Sequence, residues 1–244
     1  MTRRGGSWLL WALWAGALAL FAQQGLWRAV LGCLFPSAPT PIFERQTLLS
    51  LTLEHLGLTL WAGGLVLLFG LPIAVWVSRP QGQAFKPLLE NLVAVGQTFP
   101  PPAVLALALP FFGFGAQGAV LALFIYGLLP VVRHTLEGLA GLPQDVLESA
   151  RGMGMSPEEL LLRVELPLAL PVILSGVRTS FVLILATATL APLVGGGGLG
   201  VPIIAGLAVS NLALVAEGAA AVAILALLLD YTLARLEATL APWS

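Results

Sequence analysis

The chain has 244 residues and a formal net charge of −1; 58% of its residues are hydrophobic, whereas Lys, Arg, Asp and Glu together make up 9%. Soluble domains are about a quarter charged, so this composition excludes an ordinary water-soluble domain and indicates an all-α integral membrane protein surrounded by lipid. The near-neutral charge provides no basic field for a phosphate backbone, so nucleic acid is not expected as a partner.

Six apolar runs at or near spanning length follow one another along the chain, since a helix needs about 20 apolar residues to cross the bilayer core. The first run, 8–27, is preceded by Arg3 and Arg4. It is either a retained span or the apolar part of a secretion signal, because a basic start and Ala22 also fit a signal peptide. The other runs are 56–78, 88–112, 117–132, 171–194 and 212–233.

These runs divide the chain into an N-terminal helix (1–27), an outer connection (28–55), a helical core (56–237) and a short tail (238–244). If the N-terminus lies inside, the inner segments contain eight Lys and Arg residues and the outer ones two, as the positive-inside rule requires. The inner residues are Arg3, Arg4, Arg79, Lys86, Arg133, Arg151, Arg163 and Arg235, and the outer ones are Arg28 and Arg45. We therefore expect a multi-pass protein of the cell inner membrane with both termini in the cytoplasm.

The same topology places residues 134–170 in the cytoplasm, and the polarity of the chain is concentrated in this loop. Residues 145–153 have an acid in the first turn and precede Gly154, a pattern that predicts a short helix ended by glycine. Ser156 followed by Pro157 predicts a second helix start, with serine as N-cap and proline at the first helical position. The loop is therefore predicted to form a helix-turn-helix.

The second of these helices has an apolar face and is followed by two prolines. Because proline lacks a backbone N–H and blocks the helical ladder, we expect Pro167 and Pro171 to end the helix and redirect the chain into the fifth span.

The loop resembles the EAA loop of ABC importer permeases over 20 residues. The matching residues, at the family's spacing, are Glu148, Ser149, Ala150, Gly154, Val164, Leu166 and Pro167. The family usually has Ala in place of Ser149 and Ile in place of Val164, and both replacements are small. A solvated amphipathic hairpin with ordinary capping is the alternative interpretation.

The resemblance implies an ABC importer permease fold with six transmembrane helices, in which the cytoplasmic loop is a coupling helix-turn-helix. Such a loop docks in a cleft of a separate ATPase subunit and transmits its closure to the spans. In that case Ala150 keeps the helix slim against the partner, Gly154 makes the turn, and Glu148 offers a carboxylate to partner or loop contacts.

The sequence indicates no catalytic group and no cofactor in this chain. Its sole lysine, Lys86, follows Phe85 and forms no P-loop, so ATP and Mg would be bound by the partner ATPase. His55 and His134 are expected on opposite sides of the bilayer, too far apart to act together. Neither the histidines nor the single Cys33 belong to a set with metal-ligand spacing.

Three stretches are candidates for the transport pathway. Gln97, Thr98 and Pro100 lie where consecutive prolines interrupt the third apolar run, and broken helices at that depth line a cavity or pack inside protein. Thr179 and Thr187 add hydroxyls to the fifth run, although such hydroxyls also bond to their own helix. The glycine-rich stretch 195–200 is either an outer gating element or a plain loop.

Arg178 and Asp230 are charged residues inside the fifth and sixth apolar runs. Because an intramembrane charge is costly without a partner, we expect these two side chains to approach each other.

Further motifs resemble the osmoprotectant group of ABC permeases, which import glycine betaine, choline or carnitine. The matching segments are 150–155, 164–171, 198–200 and 229–231. For this group the resemblance implies a homo- or heterodimeric permease, an ATPase subunit dimer and an external substrate-binding protein. ABC permeases for amino acids or sulfonates, an ion-coupled secondary transporter and a membrane enzyme are the alternatives.

Overall fold

The computed structural model describes residues 7–241, apart from the side chains of Ser7 and Gln97, and within this part the chain forms helices and no strand. The α-helices in chain order are α1 (Ser7–Ala22), α2 (Gln24–Leu34), α3 (Leu48–Leu65), α4 (Leu71–Val77), α5 (Lys86–Thr98), α6 (Pro101–Phe112), α7 (Ala116–Ala140), α8 (Gln144–Gly152), α9 (Pro157–Leu160), α10 (Leu166–Thr187), α11 (Gly200–Ala208) and α12 (Leu212–Leu240). The predicted all-α class is confirmed. Arg3 and Arg4, on which the predicted orientation partly depends, lie outside the described residues.

Wider or tighter turns join several of these helices. Two π-helical turns, Val66–Gly70 and Leu161–Glu165, connect α3 to α4 and α9 to α10. The 3₁₀ turns are Gln83–Phe85 and Ala188–Val194.

Within residues 7–241, four helical stretches are long and apolar enough to cross a membrane without a break. They are Leu48–Val77, Ala116–Ala140, Pro157–Val194 and Leu212–Leu240. Two broken pairs, α1 with α2 and α5 with α6, bring the number to six if each pair is one span. The six predicted spans are thus accounted for by length and composition.

Several helices extend beyond the predicted apolar runs. The second span begins at Leu48, not at residue 56, and therefore contains Glu54 and His55. The helix accommodates its polar residues partly through back-bonding: the hydroxyls of Thr52 and Thr59 donate to the carbonyls of Leu48 and His55 at 2.8 and 2.9 Å. The boundary differs because the sequence prediction took the Glu-His pair for the polar edge of the bilayer.

The predicted loop 134–170 is much shorter in the structure, since α7 continues to Ala140 and a helical stretch resumes at Pro157. The expectation that Pro167 and Pro171 redirect the chain is wrong, because both lie within the span Pro157–Val194. In the π-turn before them, the N–H of Leu166 donates to the carbonyl of Leu161, five residues back. This wider turn changes the hydrogen-bond register just before the first proline.

Two compact units contain the described residues. The first comprises the described residues up to Ala62, Pro100–Leu123 and Val182–Thr232. The second comprises Gly63–Phe99, Phe124–Phe181 and the described residues from Leu233 onward.

In the first unit, polar contacts fasten the N-terminal segments to α12. The indole N–H of Trp14 in α1 donates to Thr232 Oγ1 at 2.9 Å. The segment between α2 and α3 is held by Glu217, whose buried carboxylate accepts the Phe43 N–H at 2.7 Å. These bonds satisfy polar groups that would otherwise be unpaired in an apolar environment.

In the second unit, α7 and α10 approach each other closely. The hydroxyl of Ser180 donates to the carbonyl of Gly127 at 2.8 Å. At Gly176 a Cβ atom would lie 2.5 Å from His134 Cβ and 2.8 Å from the carbonyl oxygen of Pro130. Small residues allow such contact between membrane helices, where dispersion and hydrogen bonds replace the hydrophobic drive.

We expect Gly176→Ala to destabilise the protein by about 1–3 kcal/mol, because the neighbouring backbone must shift to admit the methyl group. Gly64→Ala is the matched control, since its Cβ would meet nothing within 4 Å and alanine favours the helix. The check is thermal unfolding of the detergent-solubilised variants: a lower transition temperature for Gly176→Ala and an unchanged or higher one for Gly64→Ala. Equal transition temperatures would contradict the close-approach argument.

Candidate functional site

The second unit contains a helix-turn-helix formed by residues 144–165, which we call the hairpin. Its turn is a glycine C-cap: Gly154 has φ +83°, in the left-handed region that favours glycine. The Gly154 N–H donates to Arg151 O at 2.9 Å and the Met155 N–H to Ala150 O at 3.4 Å, the two bonds of a Schellman motif. The predicted turn at Gly154 is thus confirmed as a helix-ending glycine.

The second arm of the hairpin begins with a complete capping box. The Ser156 hydroxyl accepts the Glu159 N–H at 3.2 Å, and the Glu159 carboxylate accepts the Ser156 N–H at 3.1 Å. Pro157 follows at the first helical position, as predicted. Two local stop and start signals therefore determine a sharp reversal between the arms.

One face of the hairpin is buried within its own unit. Ala150 is only 3% exposed and belongs to an apolar cluster with Leu147 and Leu160. The other buried members are Leu139, Leu142, Ala169 and Ile173, and Leu71, Val75, Met155, Val164 and Leu166 pack against them partly buried. The expectation that Ala150 faces a partner is therefore not met in this structure: its small side chain lets α8 approach the helices of its own chain.

The opposite face of the hairpin is exposed and mixes charge with apolar surface. Glu148 and Ser149 are exposed, and the Ser149 hydroxyl donates to the Asp145 carbonyl of its own helix at 2.7 Å. Met153, at the tip, is 72% exposed. An exposed thioether beside acidic residues is suited to contact with another protein, since methionine adapts to irregular apolar surfaces.

An ion pair that the sequence prediction missed links the hairpin to the end of α4. Arg79 Nη1 lies 2.5 Å from Glu165 Oε2, a contact not aligned for a hydrogen bond, and Glu165 is only 6% exposed. Arg79 Nε donates to Ser78 Oγ at 3.1 Å, which in turn donates to the Val75 carbonyl at 2.6 Å. A lone acid in the apolar stretch 160–171 was the available sequence signal.

In the first unit, the glycine-rich stretch is a turn held by α3. The N–H of Gly198 donates to Glu54 Oε2 at 3.0 Å, and the N–H of Leu199 donates to His55 Nδ1 at 3.3 Å. Because Nδ1 accepts, Nε2 carries the hydrogen and donates to the Leu185 carbonyl at 2.9 Å. His55 is fully buried, and its two ring nitrogens pair with backbone groups of Leu199 and Leu185.

The glycine turn also requires glycine for steric reasons. Gly198 has φ +97°, and a Cβ there would lie 2.9 Å from His55 Nδ1. Among the described residues, no group of three His, Cys, Asp or Glu side chains gathers as a metal site.

Within the described part of the chain, two of the predicted pathway residues bond to their own helices and not to one another. The hydroxyl of Thr98 donates to Val95 O at 2.7 Å and that of Thr179 to Ser175 O at 2.9 Å, so each bonds to its own helix. Pro100 lies at the break between α5 and α6, and Thr187 is the last residue of α10. The side chain of Gln97 lies outside the described part. A pathway through these residues stays a prediction.

Arg178 forms an ion pair with Glu237, whose Oε2 lies 3.7 Å from Nη1. The sequence prediction did not consider Glu237, because it assigned that residue to the end of the helical core. The predicted approach of Arg178 to Asp230 stays a prediction.

Bilayer-length helices that carry a short, half-exposed helix-turn-helix are consistent with a membrane transport permease. Residues 67–242 match the family of the binding-protein-dependent transport system inner membrane component, and the chain belongs to this family. It is therefore the integral membrane permease subunit of an ABC importer.

Curated relatives align over most of their length. The chain is 42% identical over 195 residues to the choline transport system permease protein OpuBB of Bacillus subtilis, covering 80% of this chain and 89% of the relative. It is 40% identical, with the same coverage, to the glycine betaine/carnitine/choline transport system permease protein OpuCB of that species. The osmoprotectant import permease protein OsmY of Salmonella typhimurium is 40% identical over 195 residues, with 80% and 83% covered.

Solved structures share the fold at lower identity. The MetNI methionine ABC transporter in an inward-facing conformation matches with a TM-score of 0.68 at 22% identity, over 77% of this chain and 93% of that chain. An amino acid ABC transporter matches with a TM-score of 0.63 at 21% identity, over 79% and 92%. The predicted ABC importer permease fold is thus confirmed.

We expect Gly198→Ala to destabilise the first unit by about 1–3 kcal/mol, because the methyl group crowds His55 and the positive φ is strained. Gly154→Ala is the control for strain alone, since Gly154 has φ +83° and open space around its Cβ position. Thermal unfolding of the two variants in detergent should show the larger loss at Gly198. A loss at Gly154 as large as that at Gly198 would contradict a contribution from crowding against His55.

Proposed function

We propose that this permease imports small quaternary ammonium osmoprotectants such as choline, glycine betaine or carnitine. The observation that carries the proposal is the 42% identity to a choline permease and the 40% identity to a glycine betaine/carnitine/choline permease over four fifths of the chain. The structures of the methionine and amino acid transporters are too distant in sequence to favour their substrates, and they support the fold alone.

The permease makes and breaks no covalent bond in this proposal. A separate ATPase subunit dimer binds ATP and Mg and supplies the energy, since the only lysine of this chain is not in a P-loop. The exposed face of the hairpin docks on the ATPase, with Met153 at the tip and Glu148 and Ser149 along α8. The buried face, which contains Ala150, passes the movement to the rest of the second unit.

The orientation follows from the site of ATP hydrolysis. The hairpin lies on the cytoplasmic side, where ATP is available, and six spans then place both termini in the cytoplasm. The excess of Lys and Arg in the segments assigned to the inside supports the same orientation. The glycine turn near Gly198 then lies toward the outer side.

The working transporter contains more than this chain. A second permease subunit, identical or homologous, completes the passage between two ATPase subunits. An external binding protein delivers the substrate, in keeping with the binding-protein-dependent family. Aromatic cages that recognise quaternary ammonium ions would then belong to the binding protein.

The docking face is tested by cross-linking in intact cells. In a Cys33→Ser background, which removes the only cysteine, we expect Met153→Cys and Ser149→Cys to be captured by the ATPase subunit with a short bifunctional reagent. Phe111→Cys is the control, because Phe111 is 83% exposed but belongs to α6 in the other unit. Capture at Phe111 alone, or at none of the three positions, would contradict the docking proposal.

A substitution at the turn complements the cross-linking. Gly154→Val places a β-branched residue at φ +83°, which should distort the tip and reduce uptake at least about tenfold while the chain remains in the membrane. Unaltered uptake would show that the shape of the turn is not needed.

The substrate is tested with the co-purified transporter and its binding protein in proteoliposomes. We expect ATP-dependent uptake of labelled choline, glycine betaine or carnitine, and no uptake of amino acids or sulfonates. Preferential uptake of an amino acid would assign a different substrate class to the same machinery. Uptake by the permease alone, driven by an ion gradient, would contradict ATP-driven import.

A further inference from the structure

We propose that the Arg79–Glu165 ion pair forces α4 to follow the hairpin, and that this pair is needed to convert ATP hydrolysis into transport. The inference rests on the proposed function, in which a separate ATPase moves the hairpin. It assigns a positioning role to two residues outside the EAA-like pattern. Arg79 follows the end of the span Leu48–Val77, and Glu165 ends the π-turn of the hairpin.

The arginine side of the contact is held in place by the end of α4. Ser78 Oγ donates to the Val75 carbonyl and accepts from Arg79 Nε, so the guanidinium is linked to the last turn of the helix through two hydrogen bonds. The chain turns away directly afterwards, where a Cβ on Gly82 would lie 2.4 Å from the Trp76 carbonyl. The orientation of Arg79 is therefore coupled to the position of α4.

The glutamate side is positioned by the π-turn. One residue inserted in a helical turn rotates the residues after it by about 100°, so the π-turn sets the direction in which the following residues face. Glu165, at its last position, is buried and contacts Arg79, whereas its neighbours Val164 and Leu166 pack against the apolar cluster. Single π-turns of this kind recur at functional sites.

The ion pair and the apolar cluster constrain the hairpin differently. Leu71 and Val75 of α4 also pack against the cluster that contains Ala150, but apolar contacts are non-directional and can re-form after a shift. A buried carboxylate has no such freedom, because separation from its cation leaves a charge without compensation. Displacement of the hairpin therefore has to carry Arg79, and with it the end of α4.

An ion pair that only stabilises the fold would make the same contacts. The test therefore needs a measurement that a change in stability alone does not alter. That readout is the number of substrate molecules transported per ATP hydrolysed, measured on the complete transporter with its ATPase and binding protein in proteoliposomes. If the ion pair only stabilises the fold, its loss reduces the amount of intact complex, and ATP hydrolysis and transport fall in proportion. If the ion pair links the hairpin to α4, its loss lowers the ratio of transport to hydrolysis while hydrolysis continues.

We expect Glu165→Gln to lower this ratio at least about fivefold while the rate of ATP hydrolysis stays within about twofold of that of the unaltered transporter. Glu137→Gln is the matched control: it removes an acid from the Arg133–Glu137 pair, which is also in the second unit, but whose side chains are 69% and 54% exposed. The control should leave the ratio unchanged. If Glu165→Gln does not assemble, Glu165→Asp, which keeps the charge but shortens its reach, is judged by the same two measurements.

The charge-reversed double variant Arg79→Glu/Glu165→Arg tests the pair itself. We expect it to recover at least about half of the ratio lost in Glu165→Gln, because attraction across the contact is restored. The proposal is overturned by an unchanged ratio in Glu165→Gln, by a proportional fall of hydrolysis and transport, or by a double variant that recovers nothing.

The unaltered transporter separates this proposal from the proposed function. If it shows no ATP-dependent uptake and the Met153→Cys variant is not captured by the ATPase subunit, the proposed function fails. If uptake is ATP-dependent and Met153→Cys is captured, but Glu165→Gln behaves like Glu137→Gln, only the role of the ion pair fails.

Discussion

The fold depends on one constraint, which is that backbone N–H and C=O groups in an apolar bilayer must find partners within the protein. Continuous helices meet it along the four uninterrupted spans. Where the helices break, side chains supply the missing partners. Tyr126 donates to the Phe99 carbonyl at the break after α5, and Glu54 and His55 accept the N–H groups of the glycine turn. Breaks in the helices and side chains that bond to backbone groups therefore occur together.

The hairpin is a short amphipathic element with one buried face and one exposed face. Its capping box and glycine C-cap fix the reversal locally, so the apolar residues of both arms face the same cluster. The remaining face stays exposed and acidic, with an adaptable methionine at the tip. In the proposed mechanism, a movement applied to the exposed face reaches the rest of the second unit through non-directional apolar contacts and through an ion pair that is costly to separate.

The family and the substrate class are supported by different comparisons. The segment 67–242 that matches the family contains the hairpin, both partners of the buried ion pair and the glycine turn. Relatives at about 40% identity transport choline, betaine or carnitine according to their names, whereas the methionine and amino acid transporters share the fold at about 22% identity. Proteins named for different solutes therefore share this fold, and the fold alone does not assign the substrate.

The sequence by itself determined the membrane class, the number of apolar runs and the hairpin, because these depend on composition and on local signals such as Ser156, Pro157 and Gly154. It did not determine where helices continue: prolines at 167 and 171 predict breaks, yet both lie within one helical span that contains a π-turn just before Pro167. Nor did it show that Ala150 faces inward, that Arg79 meets Glu165, or that Glu54 and His55 hold a turn more than 140 residues away. Those contacts join residues distant in sequence, and only the packing of the helices decides which side chains come within bonding distance.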